Sequence, residues 1–203
     1  MKAIARVSLV AFSVLLFGSC LDVETQIDLH ADHSGRVRLT YEIDNELWDL
    51  GVFDPESSVR AIPVTEADFR RTERRIRGVE LREYSRSRGE TTTEIEAVLG
   101  FENLEALNGI YAPGRSLISV TEEEGERIYR QVLRPDSGKD AIDEEFLETF
   151  LDDHRISFLL RVPSEVRETS HGEVVDSGRE IRLSLDIVEF LSGSDPRTWE
   201  VRY

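Results

Sequence analysis

The chain has 203 residues, with 25 basic against 41 acidic side chains, a net charge of −16, and 39% hydrophobic residues. It is long enough to bury the core of one domain, and too acidic for a nucleic-acid partner, which requires a net basic footprint. Cys20 is the single cysteine, so no intrachain disulfide can form and the fold must rest on packing.

The N-terminus carries Lys2 and Arg6, then an apolar run from Val7 to Phe17, then Gly18-Ser19-Cys20. A predominantly apolar run of eleven residues is too short to span a bilayer but suits the central region of a signal peptide. The run resembles a bacterial lipoprotein signal, cleaved before Cys20, whose sulfur is then lipidated. The alternative is an ordinary secretory signal with an incidental cysteine. The lipoprotein resemblance implies a signal peptide over residues 1–19 and one domain over 20–203. That domain would be tethered to a membrane of the cell envelope by acyl chains, palmitate among them, and would face the periplasm or the outside. Two chains already suffice for stable anchoring. Beyond this run no apolar stretch approaches membrane-spanning length. The mature chain would hold 23 basic and 41 acidic residues, a net of −18, and an anionic bilayer would repel its body.

Val23, Thr25, Ile27 and Leu29 alternate with polar residues, as do Val37, Leu39, Tyr41 and Ile43, around the turn-forming stretch Ala31–Gly35. This predicts a β-hairpin. After a looser stretch from Trp48 to Pro63, Thr65-Glu66-Ala67-Asp68 predicts a capped helix start, with Val64 stapled onto Phe69 and Gly78 as the stop. A second hairpin pairs 79–87 with 91–101. A short helix over 102–108 is expected to end at Gly109, and a third hairpin joins 116–121 to 127–133. Asp140 should cap a helix presenting Ile142, Phe146 and Phe150 on one face. Strands follow at 155–162 and 179–186, with a hairpin region around Ser170-His171-Gly172, a helical segment at 187–191 and a final strand at 198–203. Hairpins interrupted by two or three helices, without long parallel crossovers, predict a single α+β domain with a mostly antiparallel sheet.

The strand after Cys20, the turn Asp32-His33-Ser34-Gly35 and the run Val37-x-Leu39-x-Tyr41 resemble the start of LppM-like bacterial envelope lipoprotein domains. The end of the chain is similar too. Val162-Pro163, the turns at His171-Gly172 and Asp176-Ser177-Gly178, Ile181-x-Leu183-x-Leu185 and Trp199-x-Val201 carry that likeness. The resemblance covers both ends of the mature chain and leaves its middle unmatched. It implies an α+β envelope domain associated with lipid, and it transfers no catalytic residue.

Few constellations suggest chemistry. Asp28, His30 and Asp32 fall at alternate positions and would share a strand face, a possible divalent-metal set; a polar strand face running into a turn explains the same residues. Asp136-Ser137-Gly138-Lys139-Asp140 departs from the EF-hand order and reads as a loop entering an acid-rich helix start. His154 and His171 are isolated. There is no Gly-x-Ser-x-Gly, no Ser-x-x-Lys with partners and no His-Glu-x-x-His. The chain is therefore read as non-enzymatic, with no catalytic residue, metal site or cofactor assigned.

The arginines are the most pronounced surface feature. Arg70, Arg71, Arg74, Arg75, Arg77, Arg82, Arg86 and Arg88 lie between Phe69 and Glu90, opposed by four glutamates, a local +4 against −22 for the remainder of the mature chain. On the predicted helix Arg70, Arg74 and Arg77 form one stripe and Arg71 and Arg75 another. On the next strand Arg82, Arg86 and Arg88 share a face with Tyr84. Guanidinium forks suit phosphate or carboxylate, so the expected partners are an anionic lipid headgroup, an anionic glycan or an acidic protein. A solvated face balancing the domain's own acids is the alternative. Two functions follow: a membrane-anchored scaffold or interaction module, or a lipid-binding domain whose Phe101, Phe146, Phe150, Phe158 and Leu160 line an apolar pocket.

Overall fold

Period-two alternation fixes which way each strand faces. A computed structural model of the chain describes residues 21–49, 63–112, 114–134, 154–186, 188, 190 and 197–203. Strand β1 (Leu21–Leu29) pairs antiparallel with β2 (Gly35–Asp44), setting Ile27 opposite Val37 and Thr25 opposite Leu39, all buried. In the turn, Asp32 accepts hydrogen bonds from the Ser34 amide at 3.0 Å and its hydroxyl at 2.7 Å. The chain continues through α1 (Asn45–Asp49), a short helix without a counterpart in the sequence reading, and then α2 (Glu66–Arg75). Thr65 caps α2 in a reciprocal box with Asp68, while Val64 and Phe69 are both fully buried, as the staple requires.

Strands β3 (Val79–Arg88) and β4 (Thr92–Phe101) form the second hairpin, followed by α3 (Leu104–Tyr111), β5 (Ile118–Glu123) and β6 (Glu126–Arg134). Asn103 caps α3 through a bond from the Ala106 amide. The helix passes through Gly109 where a stop was expected. The glycine serves close packing: a Cβ there would stand 2.8 Å from Ile76 Cγ2. The rest comprises β7 (Arg155–Arg161), β8 (Glu168–Thr169), β9 (Glu173–Val175), β10 (Glu180–Asp186) and β11 (Arg197–Arg202).

The fold is α+β and mostly antiparallel, with its strands divided between two sheets. Seven strands lie in the order β3-β4-β2-β1-β7-β10-β9, and four in the order β5-β6-β11-β8. Among the described pairings only β1 with β7 is parallel. The expected hairpin around Ser170-His171-Gly172 does not form. Its arms join different sheets, β8 beside β11 and β9 beside β10. The Trp199 indole N–H donates to the His171 carbonyl at 3.0 Å and to the Thr169 hydroxyl at 3.1 Å, holding the link in place.

One continuous core joins the two sheets. Ile27, Val37, Ile95, Leu99 and Leu160 from the large sheet and Ile118, Tyr129, Trp199 and Val201 from the small one belong to the same cluster, with Phe69 of α2 and Leu107 of α3. At about 25 cal/mol per Å² this apolar burial is the main favourable term of the fold. Asn108 ties α3 to β5: its side chain donates to the Leu104 and Ile118 carbonyls and accepts from the Leu117 and Ile118 amides. Tyr111 and Tyr203 are the described residues whose buried side-chain polar atoms, both hydroxyls, have no hydrogen-bond partner. No helix among the described residues is long and apolar enough to cross a membrane. The expected signal peptide, Cys20, the Asp136–Asp140 loop and the helix after Asp140 lie outside the described residues.

Candidate functional site

The eight arginines expected to form a patch separate into groups. On α2, Arg70 pairs with Glu66 at 3.4 Å and Glu73 at 3.2 Å, and Arg71 with Asp68 at 3.5 Å. Glu73 also accepts from the Leu81 amide, and that bond together with Arg70 holds its carboxyl below the usual range. Arg74 and Arg75 occupy the last turn, where positive charge suits the helix dipole. Arg77 was expected on the same helical stripe as Arg70 and Arg74. The helix ends at Arg75 with Ile76 as its cap, so Arg77 lies in the turn that Gly78 completes at φ 80°. Among the described residues Arg74, Arg75 and Arg77 have no ion-pair partner.

Arg86 and Arg88 do share the face of Tyr84. Arg86 stacks over the Trp48 ring, 3.9 Å from its centroid, and Arg88 makes a fork-to-fork pair with Asp49 at 3.0 and 2.8 Å. Both are occupied in holding α1 onto the sheet. Arg82 does not share that face. A β-bulge between Leu81 and Glu83 shifts the register with β4, and Arg82 lies on the opposite, outer side against Gly100.

Arg75 and Arg77 line a groove of about 1000 Å³ between the end of α2, the start of α3 and β5. Arg115, Glu102 and Glu105 line it too, and Ile76, Leu104 and Val120 contribute apolar surface. A second cleft, of about 630 Å³, opens where β1 turns into β2 beside the end of β7. Arg36, Arg82, Arg161 and Arg179 line it with Asp28 and Glu102. Pairwise register explains this gathering: Gly100, Arg36, Asp28, Arg161 and Glu180 lie in one row across five strands, on the outer face. Asp28 and Glu180 are each only 6% exposed. Arg36 Nε donates to Asp28, and Arg161 donates to Glu180 at 2.6 Å while Asp28 lies 3.8 Å away. The Glu180 carboxylate first, and the acids around it, keep the Arg161 guanidinium firmly charged.

The expected metal set separates as well. β1 stops at Leu29, so His30 and Asp32 belong to the turn, and Asp28 is committed to two arginines. Among the described residues no three His, Cys, Asp or Glu side chains are placed to hold a metal. His154, read as isolated, is buried, with Nδ1 3.6 Å from Asp22. Phe101, Phe158 and Leu160 pack within the shared core, and of the three only Phe101 reaches either cleft. Phe146 and Phe150 lie outside the described residues.

Sequence signals for the second cleft were weak because its arginines come from four separate segments. Only Arg82 sits in the dense cluster. The visible sign was Gly100 within an otherwise regular strand, a mark of close approach from above.

The fold has a counterpart among solved structures. It is similar to the NMR structure of the folded domain of Mycobacterium tuberculosis LppM, with a TM-score of 0.50, 13% sequence identity, and coverage of 98% of this chain and 94% of that one. This likeness agrees with the resemblance drawn from the turns and alternating strands, and it is a likeness of fold. No family model matches the chain, and no curated protein matches it in sequence.

Proposed function

We propose that this chain is a lipid-anchored envelope protein, tethered through Cys20, that works as a non-enzymatic interaction module for an anionic partner. The observation that carries this reading is the set Arg74, Arg75 and Arg77. Arg75 and Arg77 line a groove shared with Arg115, Arg74 precedes them in the last turn of α2, and none of the three has an ion-pair partner among the described residues. Guanidiniums outside any ion pair, in an otherwise acidic chain, are suited to carboxylate, phosphate or sulfate groups on an acidic protein, a headgroup or a glycan. The likeness to the LppM domain and the lipoprotein-like N-terminus support an envelope setting. The lipid-carrier reading requires an apolar interior left unfilled, and Phe158 and Leu160 are spent on the common core, which favours the module.

Two experiments test the reading. Incorporation of radiolabelled palmitate should vanish in Cys20→Ala; persistent labelling would overturn anchoring at this residue. The full chain in non-ionic detergent should be retained on a sulfated polysaccharide column and elute with salt. Substituting Arg74, Arg75 and Arg77 by Glu should shift elution to clearly lower salt. An unchanged elution position would make these arginines a solvated face and remove the proposed site.

A further inference from the structure

We infer that the second cleft, on the outer face of the seven-stranded sheet, is a site for a phosphate-class oxyanion, built by Arg36, Arg82, Arg161 and Arg179. The inference does not rest on the α2 groove, since its arginines are different ones and the two openings share only Glu102.

Three constructional features point to a ligand. The first is a buried carboxylate that orients two of the cations. Asp28, on β1, takes Arg36 from β2 on one oxygen and stands 3.8 Å from Arg161 of β7 on the other. Arg36 uses only Nε in this pairing, and among the described residues its two Nη groups have no other partner. The second feature is the bulge at Arg82. Arg82 follows inward-facing Leu81 and points to the outer face; as the extra residue of the bulge it has no partner on β4, while the strand after it resumes with Tyr84 facing inward. The third is Gly100. A Cβ there would lie 2.5 Å from Arg82 Nε, so the absent side chain provides the seat for that guanidinium.

Arg179 completes the set from the turn before β10, with no side-chain partner among the described residues. Five acids stand near these four arginines, so the site depends on where the acids sit and not on net charge. Asp28 and Glu180 lie beneath the arginines and position them, while Glu102 is the other acid on the wall. Glu80 at 3.7 Å from Arg82 and Asp176 at 3.9 Å from Arg161 are exposed and beyond hydrogen-bond range, contacts that an incoming oxyanion displaces easily. His30 is engaged with Ser34 at the mouth. Several guanidiniums around one opening offer more donors than a carboxylate accepts, whereas a tetrahedral oxyanion presents three or four acceptor oxygens.

The test titrates the full chain, held in non-ionic detergent, with inorganic phosphate, pyrophosphate and glycerophosphoglycerol, following heat uptake and melting temperature against sodium chloride at matched ionic strength. Binding predicts a saturable rise in melting temperature beyond that of chloride. Arg82→Gln should weaken it about tenfold, the loss expected for one charge-assisted contact. Gly100→Ala keeps every charge but unseats Arg82, and should weaken it comparably, whereas Arg74→Gln should leave it unchanged. If phosphate and pyrophosphate bind and the diester does not, the source is a soluble phosphate or phosphomonoester. If the diester competes, it is a headgroup phosphate. A response equal to chloride, or one indifferent to both Arg82→Gln and Gly100→Ala in variants that melt normally, overturns the site while leaving the α2 groove untouched.

Discussion

The arginines of α2 and those of the cross-strand row differ in what lies beneath them. Arg70 and Arg71 reach acids one turn away on their own helix, and the Arg70 pair with Glu66 and Glu73 is open to solvent. Arg36 and Arg161 converge on Asp28 and Glu180, which the sheet has removed from water. Water screens the first arrangement, and the second is held by carboxylates that would be costly to leave alone. Abundance of like charge therefore says little about organisation. The dense cluster supplies cations at a groove, and the sparse one supplies cations fixed in place.

Both surfaces rest on one core, and the largest effect is to break it. Burial pushes all five tyrosine hydroxyls above their ordinary value of 10.0. The folded state therefore holds those protons more tightly than the unfolded chain does, and its stability is full below pH 10 and falls as pH rises above it. Tyrosinate absorbance should appear together with loss of circular dichroism in one cooperative transition on the alkaline side. Ionisation of most tyrosines well before unfolding would contradict the burial of Tyr41, Tyr111 and Tyr129.

Phe69→Ala separates the two regions. Phe69 is fully buried and its ring lies 5.9 Å from that of Tyr84, so it fastens α2 to the sheet. Removing it should cost about 3–5 kcal/mol in urea unfolding, and at partial denaturation α2 amides should exchange before those of β1 and β2. Asp28→Asn tests the anchored pairs directly. Its arginines are half-exposed, at 48% and 44%, which moderates the loss to about 2 kcal/mol. Glu66→Gln, the corresponding change on α2, should leave the urea midpoint unmoved. Equal losses would erase the distinction between the regions. Thr65→Ala, the smallest of the set, should lower stability by about 1 kcal/mol through the lost α2 cap, with the cross-strand row unaffected.

Legibility in the sequence followed distance along the chain. Hairpins β1–β2, β3–β4 and β5–β6 were visible as alternation around turns, and the Thr65 box placed the start of α2. Departures came where a local rule met a tertiary demand. Gly109 reads as a stop but admits Ile76, Arg82 reads as a partner of Tyr84 but sits in a bulge, and Ser170-Gly172 reads as a hairpin but bridges two sheets. The candidate patch shared this fate. The sequence located Arg74 and Arg75 correctly on α2, yet it could not show that Arg86 and Arg88 are taken up by Trp48 and Asp49.

By itself the sequence determined the fold class, the faces of the strands that run without a bulge and the helix cap, because each depends on residues within a few positions of one another. Tertiary structure alone decided the parallel placement of β7 beside β1, and with it the meeting of Arg161 with Asp28 and Arg36. Those residues come together only because strands far apart in the chain share hydrogen bonds. Such pairing is selected by the burial of whole faces, and no short stretch of sequence encodes it.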